Sequence, residues 1–223
     1  MGIRALAAVT GVRVEEIDAR TLGFVFGPHL NAAGRLETAQ YSLDLLTATD
    51  NLQALEIANK LHDMNIARRT EQDRIVREAI KQADEFTDHP VLVLSDPSWS
   101  HGIIGIVAAK MLERYAKPTF VLQELGEETK GSARSYGDFS AADGIRASKE
   151  WIIKGGGHKL AAGVTLSTKN IPNFRQAIND FYRSLNLTDQ IRHLQPVPDG
   201  QITAFADANR TLISELSQLE PYG

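Results

Sequence analysis

The residues most able to do chemistry gather in KGGGHKLAAG, Lys154 to Gly163. Glycine costs backbone entropy and supplies no side chain to a core, so Gly155, Gly156 and Gly157 need a reason. A helix ending near Trp151 would use only one glycine as its C-cap. Three in succession permit a nest of backbone N–H groups that converge on an anion, with His158 beside it. A plain bend is the alternative. In KGSARS, Ser132 and Arg134 lie two apart, which on a strand puts both on one face. A hydroxyl beside a guanidinium clamps a phosphate or carboxylate; a solvated edge strand would look the same. SDPSWSHGIIGIVAAK reads as a strand-to-helix junction carrying His101, Gly102 and Gly105. Helix N-terminal N–H groups can receive phosphate there. Equally, the two glycines can let the helix pack closely, with His101 a cap or surface residue. NAAGR, Asn31 to Arg35, sets small residues around a cation, although Asn31 can also simply cap a helix.

Several chemistries are excluded. Cysteine is absent, which removes disulfides, thiolate zinc sites and a cysteine nucleophile. There is no GK[ST] phosphate loop, no GxGxxG fingerprint and no HExxH or HxxxH spacing. The acidic pairs Glu15-Glu16, Asp84-Glu85 and Glu127-Glu128 sit where solvated charge is expected, so no metal ligands are assigned. The formal net charge of −4 argues against a globally basic nucleic-acid binder but leaves room for local cationic sites.

The elements that must position these residues follow from periodicity and punctuation. GIRALAAVTGV predicts a helix ended by Gly11. Gly23, Gly27, Pro28 and Gly34 break up the next stretch, in which only FVF has strand character. ETAQYSLDLLTATD predicts a second helix. From Asn51 to about Phe86 there is neither glycine nor proline, and apolar residues recur every three or four positions. One helix of this length would span roughly 50 Å and act as an interdomain connector; two helices with a break near Asn65 are the alternative. VLVLSD predicts a strand buried on both faces. After it come a helix in HGIIGIVAAKMLERY, strands in PTFVLQE, KGSARS and AAGVTLS, and helices in FSAADGIRASKEW and IPNFRQAINDFYRSL. LQPVPDGQITAF predicts a strand region turning at Pro198-Asp199-Gly200, and ANRTLISELSQLEPYG a final helix. The expected fold class is α/β: a sheet covered by helices, preceded by a long connector helix and a small, mainly helical N-terminal segment. No apolar run of about 18 residues exists to cross a membrane, and the N-terminus is too charged for a signal peptide. A cytoplasmic protein is expected.

Taken in order, these segments resemble the RecJ family of single-strand-specific exonucleases, within the DHH phosphoesterase superfamily. GFVFGPHLNAAGRLETAQYSLDLL is similar to the end of that family's catalytic DHH domain. SHGIIGIVAAKMLERYAKPTFVL, KGSARSYGDFSAADGI and GGGHKLAAG resemble its DHH-associated domain, and LISELSQLEPYG the approach to an oligonucleotide-binding-fold domain. The resemblance implies residues 1–50 as the tail of the DHH domain, 51–87 as connector, 88–185 as the DHH-associated domain and 186–223 as the lead into the next domain. The chain is then expected to be excised or truncated from a longer protein.

The resemblance also implies roles. Arg35, Ser132 and Arg134 match positions that bind the 5′ phosphate of the substrate strand. Gly156, Gly157 and His158 match a GGH motif closing over the cleft, with His158 catalytic. Asn31 and His101 match substrate-binding motif positions. Ala133 stands where the family often has glycine. The family's manganese or magnesium site has no counterpart here, so no metal is expected on this chain, and binding without cleavage is expected of it. Single-stranded DNA is the implied partner, with single-strand-binding protein or a helicase as further partners and no membrane. Two other classes share parts of the pattern: DHH phosphodiesterases of short oligonucleotides or cyclic dinucleotides, and non-catalytic binding modules such as the accessory domain of alanyl-tRNA synthetases.

Overall fold

A computed structural model describes residues 1–188 and 190–220. It divides into two compact units, one of Met1–Ala33, Ala39–His62 and the residues from Gln195, the other of Gly34–Thr38 and Asp63–Leu194.

The first unit is helical. Helix α1 (Gly2–Thr10) ends on Gly11, whose φ of 72° is a left-handed cap conformation, as the sequence predicts. Asp18 caps α2 (Ala19–Thr21) by accepting from the Thr21 N–H. A π-helical turn at Leu22–Phe26 then leads straight into α3 (Gly27–Leu36). FVF is therefore not a strand. Pro28 has no N–H to donate, and the widened turn before it, closed by Gly27 N–H on Leu22 O, carries the helix past that gap. His29 is buried; its Nδ1 donates to Val25 O at 2.6 Å and its Nε2 faces His62 Nδ1 at 3.2 Å. Helix α4 (Gln40–Thr47) buries Leu45. The predicted strand region at 195–204 is not one: these residues are exposed and pair with nothing. Pro196 and Pro198 remove ladder donors there. Pro221–Gly223, the end of the predicted final helix, lies outside the described residues.

Helix α5 (Asn51–Ala83) is continuous, with Asp50 Oδ1 accepting from the Gln53 N–H at 2.8 Å at its start. No break occurs near Asn65. That side chain is buried and accepts from Arg68, one turn on, at 3.0 and 3.2 Å.

The second unit is built on a five-stranded sheet of order β1-β2-β3-β5-β4. The strands are β1 (Leu92–Asp96), β2 (Thr119–Leu125), β3 (Glu128–Arg134), β4 (Lys154–Gly157) and β5 (Ala161–Ser167). Only β1 and β2 run parallel. Alternation sorts the core into two layers. Leu92, Leu94 and Val121 pack with Ile75 and Ala79 of α5, with Trp99, and with α6 (His101–Tyr115). Val91, Val93, Phe120 and Leu122 pack with Phe139, Ile145, Phe174 and Ile178 on the opposite face, where α7 (Ala141–Ala147) and α8 (Ile171–Ser184) lie. Trp99 is fully buried and donates to Glu78 Oε2 at 2.9 Å, which ties the loop before α6 to α5. Asn179 of α8 closes the other side, accepting from Val91 N–H and donating to Val91 O.

The glycine run is neither nest nor bend. Lys154–Gly157 is a strand at the sheet edge, antiparallel to β5. Without side chains it has no hydrophobic pattern of its own; its partner strand supplies the order.

Candidate nucleic-acid interface

The register of β3, β5 and β4 lays out three rows on one face of the sheet. Lys130, Thr165 and Lys154 make the first, and Ser132, Gly163 and Gly156 the second. Arg134 and Ala161 begin the third, which His158 completes by donating its backbone N–H to Ala161 O at 2.8 Å. Ser132 and Arg134 therefore do share a face, and the sheet brings the glycine motif to them.

Each glycine of the run has a different reason. A Cβ on Gly155 would lie 2.8 Å from Ile145 Cγ2 of α7, so this glycine lets the helix seat on the sheet. Gly157 has a φ of +146° and would set a Cβ 2.6 Å from Ala161 O, so the hairpin needs it. Gly156 is different: a Cβ there meets nothing within 4 Å. Its row neighbour Gly163 would meet only Gly131 O, at 3.7 Å. Both are exposed. The fold does not require glycine at either position, yet together they leave bare backbone beside Ser132.

Helix α6 covers the same face over β2 and β3, and its two glycines define how closely. A Cβ on Gly105 would lie 3.2 Å from Arg134 Nη2 and 3.5 Å from Ser132 Oγ. A Cβ on Gly102 would lie 2.0 Å from Arg35 O. Arg35 also donates from Nη1 to Gly102 O at 3.0 Å. The close-packing reading of these glycines is thus correct, and what they pack against are the candidate site residues themselves. Arg35 meets α6 in its first turn, at Gly102, and Arg134 one turn further on, at Gly105; the start of a helix favours an anion.

The charge here is one-sided. Among the described residues Arg134 donates only to Ala133 O, at 2.8 Å. Arg68 of α5 is held by neutral acceptors, Asn65 Oδ1 and Gln72 Oε1. Burial, then the nearby charges of Arg35 and Arg69, pull its guanidinium below the usual arginine value. None of Arg35, Arg68 and Arg134 forms a salt bridge among the described residues. Of the carboxylates only Asp73 acts on Arg68, and weakly, against the opposing charges of Arg35 and Arg69; a surface with this excess of cations favours an anion. Arg74, on the same helix, shows the contrast: Glu71 and Glu78 hold it at 2.7 and 2.9 Å and raise its pKa.

Beside the rows opens a cleft of about 480 Å³, lined among others by His101, Lys130, Lys154, Gly163 and Thr165. His101 is the first residue of α6 and exposed, as both the ligand and the surface-residue readings expect. Of the sequence-predicted residues, Arg35, His101, Ser132, Arg134, Gly156, Gly157 and His158 all lie in the second unit. Asn31 is exposed in the first. Sequence reading missed Lys130, Lys154, Thr165, Gly163 and Arg68. The signal for Lys130 was present, since it precedes Ser132 by the same two-residue step that joins Ser132 to Arg134. Lys154 and Gly163 carry no such signal, because only the register brings them alongside. Among the described residues no three His, Asp or Glu side chains converge to hold a metal ion, so these residues do not fit one.

Comparison with known proteins adds three observations. The DHHA1 domain family matches residues 88–184. Over its full length the chain is 30% identical to the single-stranded-DNA-specific exonuclease RecJ of Bacillus subtilis and 30% identical to that of Thermus thermophilus, spanning 28% and 31% of their lengths. The crystal structure of Thermus thermophilus RecJ in complex with Mn2+ superposes over the whole chain with a TM-score of 0.85 at 30% identity, the chain covering 32% of it. The chain thus spans about a third of the proteins it resembles.

Proposed function

Because this chain belongs to the RecJ family and carries a DHHA1 domain, we propose that its open sheet face binds the 5′-phosphorylated end of a single DNA strand for an exonuclease. The observation that supports this most is the Ser132–Gly163–Gly156 row. It offers a hydroxyl and two side-chain-free strand positions beside Arg134, and the fold itself gives no reason for either glycine.

In this reading Ser132 and Arg134 hold the terminal phosphate, with a hydroxyl donor and a planar guanidinium fork. Arg35, at the end of α3, adds its charge against the first turn of α6. Gly156 and Gly163 bond to each other within the β4–β5 ladder, and the lack of side chains lets the strand lie directly on the sheet face beside Ser132 and Arg134. His158, at the end of the Arg134 row, stands where it can donate to a phosphoryl oxygen as negative charge builds there. His101 lines the adjoining cleft, and Asn31 is assigned a substrate contact of its own. No step is routed through a metal on this chain, and the chain alone is expected to bind but not hydrolyse. In the longer relatives manganese or magnesium would supply activated water. We assign residues 1–50 to the tail of a DHH domain, 51–87 to the connector, 88–185 to the DHH-associated domain and 186–223 to the lead into a further domain. Such an enzyme works in the cytoplasm with a helicase or single-strand-binding protein, which expose or present its strand. Among the described residues no helix is long and apolar enough to cross a membrane.

The test is a binding titration with a single-stranded oligonucleotide bearing either a 5′ phosphate or a 5′ hydroxyl. Preference for the phosphate of about tenfold, abolished by Arg134→Ala, is expected; one charge-assisted contact is worth about 1.5–3 kcal/mol. Equal binding of both ends would refute the reading.

A further inference from the structure

Lys130 and Lys154 flank Thr165 in one row, two strands apart and therefore about 10 Å from each other. Both line the cleft of about 480 Å³. Lys154 is exposed and has no carboxylate partner among the described residues. The nearest acid to Lys130 is Glu128 on its own strand, at 3.8 Å and half exposed, a separation at which an ion pair contributes little. Two ammonium groups lining one cleft, with a single half-exposed carboxylate beside one of them, repel each other less when an anion lies between them. Thr165 adds a hydroxyl at the floor, although that residue is itself largely buried.

The spacing matters as much as the charge. The lysine row lies one two-residue step from the Ser132 row and two from the Arg134 row, about 7 and 14 Å along the strands. A strand whose end sits on Ser132 and Arg134 must pass over the bare Gly163–Gly156 backbone to leave the face. On that path it meets the lysines about one nucleotide further on.

We propose that Lys130 and Lys154 form a second phosphate subsite, which grips an internal phosphodiester of a single DNA strand and makes affinity depend on strand length. The inference rests on the end-binding reading above for its direction, but its residues are different. The subsite reads charge and not base, so it is indifferent to sequence. It lets a short strand dock by its end alone while longer strands gain a second hold.

The experiment measures the affinity of the full chain for thymidine 5′-monophosphate, the 5′-phosphorylated dinucleotide and the 5′-phosphorylated hexanucleotide. The wild-type protein is compared with the double variant Lys130→Gln/Lys154→Gln and with Arg134→Ala, each checked for folding by circular dichroism. The wild type is expected to bind the hexanucleotide about tenfold or more tightly than the mononucleotide. The double variant is expected to lose that gain while binding the mononucleotide within about twofold of the wild type. Its salt dependence on the hexanucleotide should also flatten, by about 0.7 in the log–log slope, for one fewer neutralised phosphate. A double variant that keeps the gain with length, or a wild type that shows no gain, overturns the subsite. Arg134→Ala reports separately on the end pocket: unchanged mononucleotide binding there overturns the end reading, and the lysine comparison still decides the subsite by its own result.

Discussion

Adding one methyl group at Gly156 separates what the fold needs from what a ligand needs. A Cβ at this position meets no atom within 4 Å, and at Gly163 only Gly131 O at 3.7 Å. Neither glycine has a left-handed φ. Alanine should therefore be accepted without rearrangement and should even stabilise, since glycine within a strand costs about 0.5–1 kcal/mol. For a chain of this size that corresponds to roughly 1–4 °C in Tm. Binding should move the other way. On the bare backbone a ligand can lie directly against the sheet face, whereas an added methyl carbon keeps its own contact distance of about 3.5–4 Å. A methyl group on the backbone thus holds the strand off the face. That is enough to break a short charge-assisted contact and cost about tenfold in affinity. Thermal unfolding of Gly156→Ala and Gly163→Ala, with a titration of 5′-phosphorylated single-stranded DNA on the same samples, provides the assay. If both variants bound as tightly as the wild type, the exposed glycines would have no ligand role. If both lost stability instead, the open space above the sheet face would not exist as described.

The two glycines of α6 should behave unlike each other. Gly102→Ala drives a Cβ to 2.0 Å from Arg35 O, backbone that cannot swing away, so a loss of about 1–3 kcal/mol is expected in urea unfolding, together with weakened binding. Gly105→Ala presses only on the mobile ends of Arg134 and Ser132 and should leave stability within about 1 kcal/mol while weakening binding; equal effects of the two on stability would contradict the packing. His89 has a buried Nδ1 without a hydrogen-bond partner among the described residues, and burial, then Arg175, Arg183 and Lys117, depress its pKa below the ordinary 6.5. The folded protein favours the neutral ring, so the unfolded chain takes up the proton first: stability is complete above about pH 6.5 and is lost as pH falls toward the folded value. His89→Gln should flatten that loss in unfolding curves between about pH 7.5 and 5.5, and an unchanged slope would count against it. Asn179→Leu strands the buried Val91 N–H and C=O and should cost about 2–4 kcal/mol in denaturant unfolding; a loss below about 1 kcal/mol would show that Val91 finds other partners.

How much of this was legible in the sequence depended on side chains. HGIIGIVAAKMLERY and AAGVTLS coincide with α6 and β5, because their patterns match the period of the element each becomes. Ser132 and Arg134 could be placed on one face from spacing alone. The glycine strand could not be read, since residues without side chains have no period. FVF failed for the opposite reason: three apolar residues satisfy a strand pattern and a helical turn equally well, and in the turn they form Phe26 is buried while Phe24 faces solvent. LQPVPDGQITAF had strand-forming residues but no partner to pair with. The pairing of Gly102 with Arg35, and of Gly105 with Arg134, joins residues far apart in the chain. Sequence offered both glycines as either phosphate-binding or packing residues; the fold makes packing the means by which the candidate site is assembled.

The most direct measurement is a map of backbone amide chemical shifts in the 15N-labelled chain during titration with a 5′-phosphorylated dinucleotide. The account predicts that the largest shifts cluster at Ser132, Arg134, Gly156, His158 and Gly163, on one face of β3, β4 and β5, and that a 5′-hydroxyl dinucleotide shifts them much less. Shifts centred elsewhere, or the same map for both ends, would contradict it.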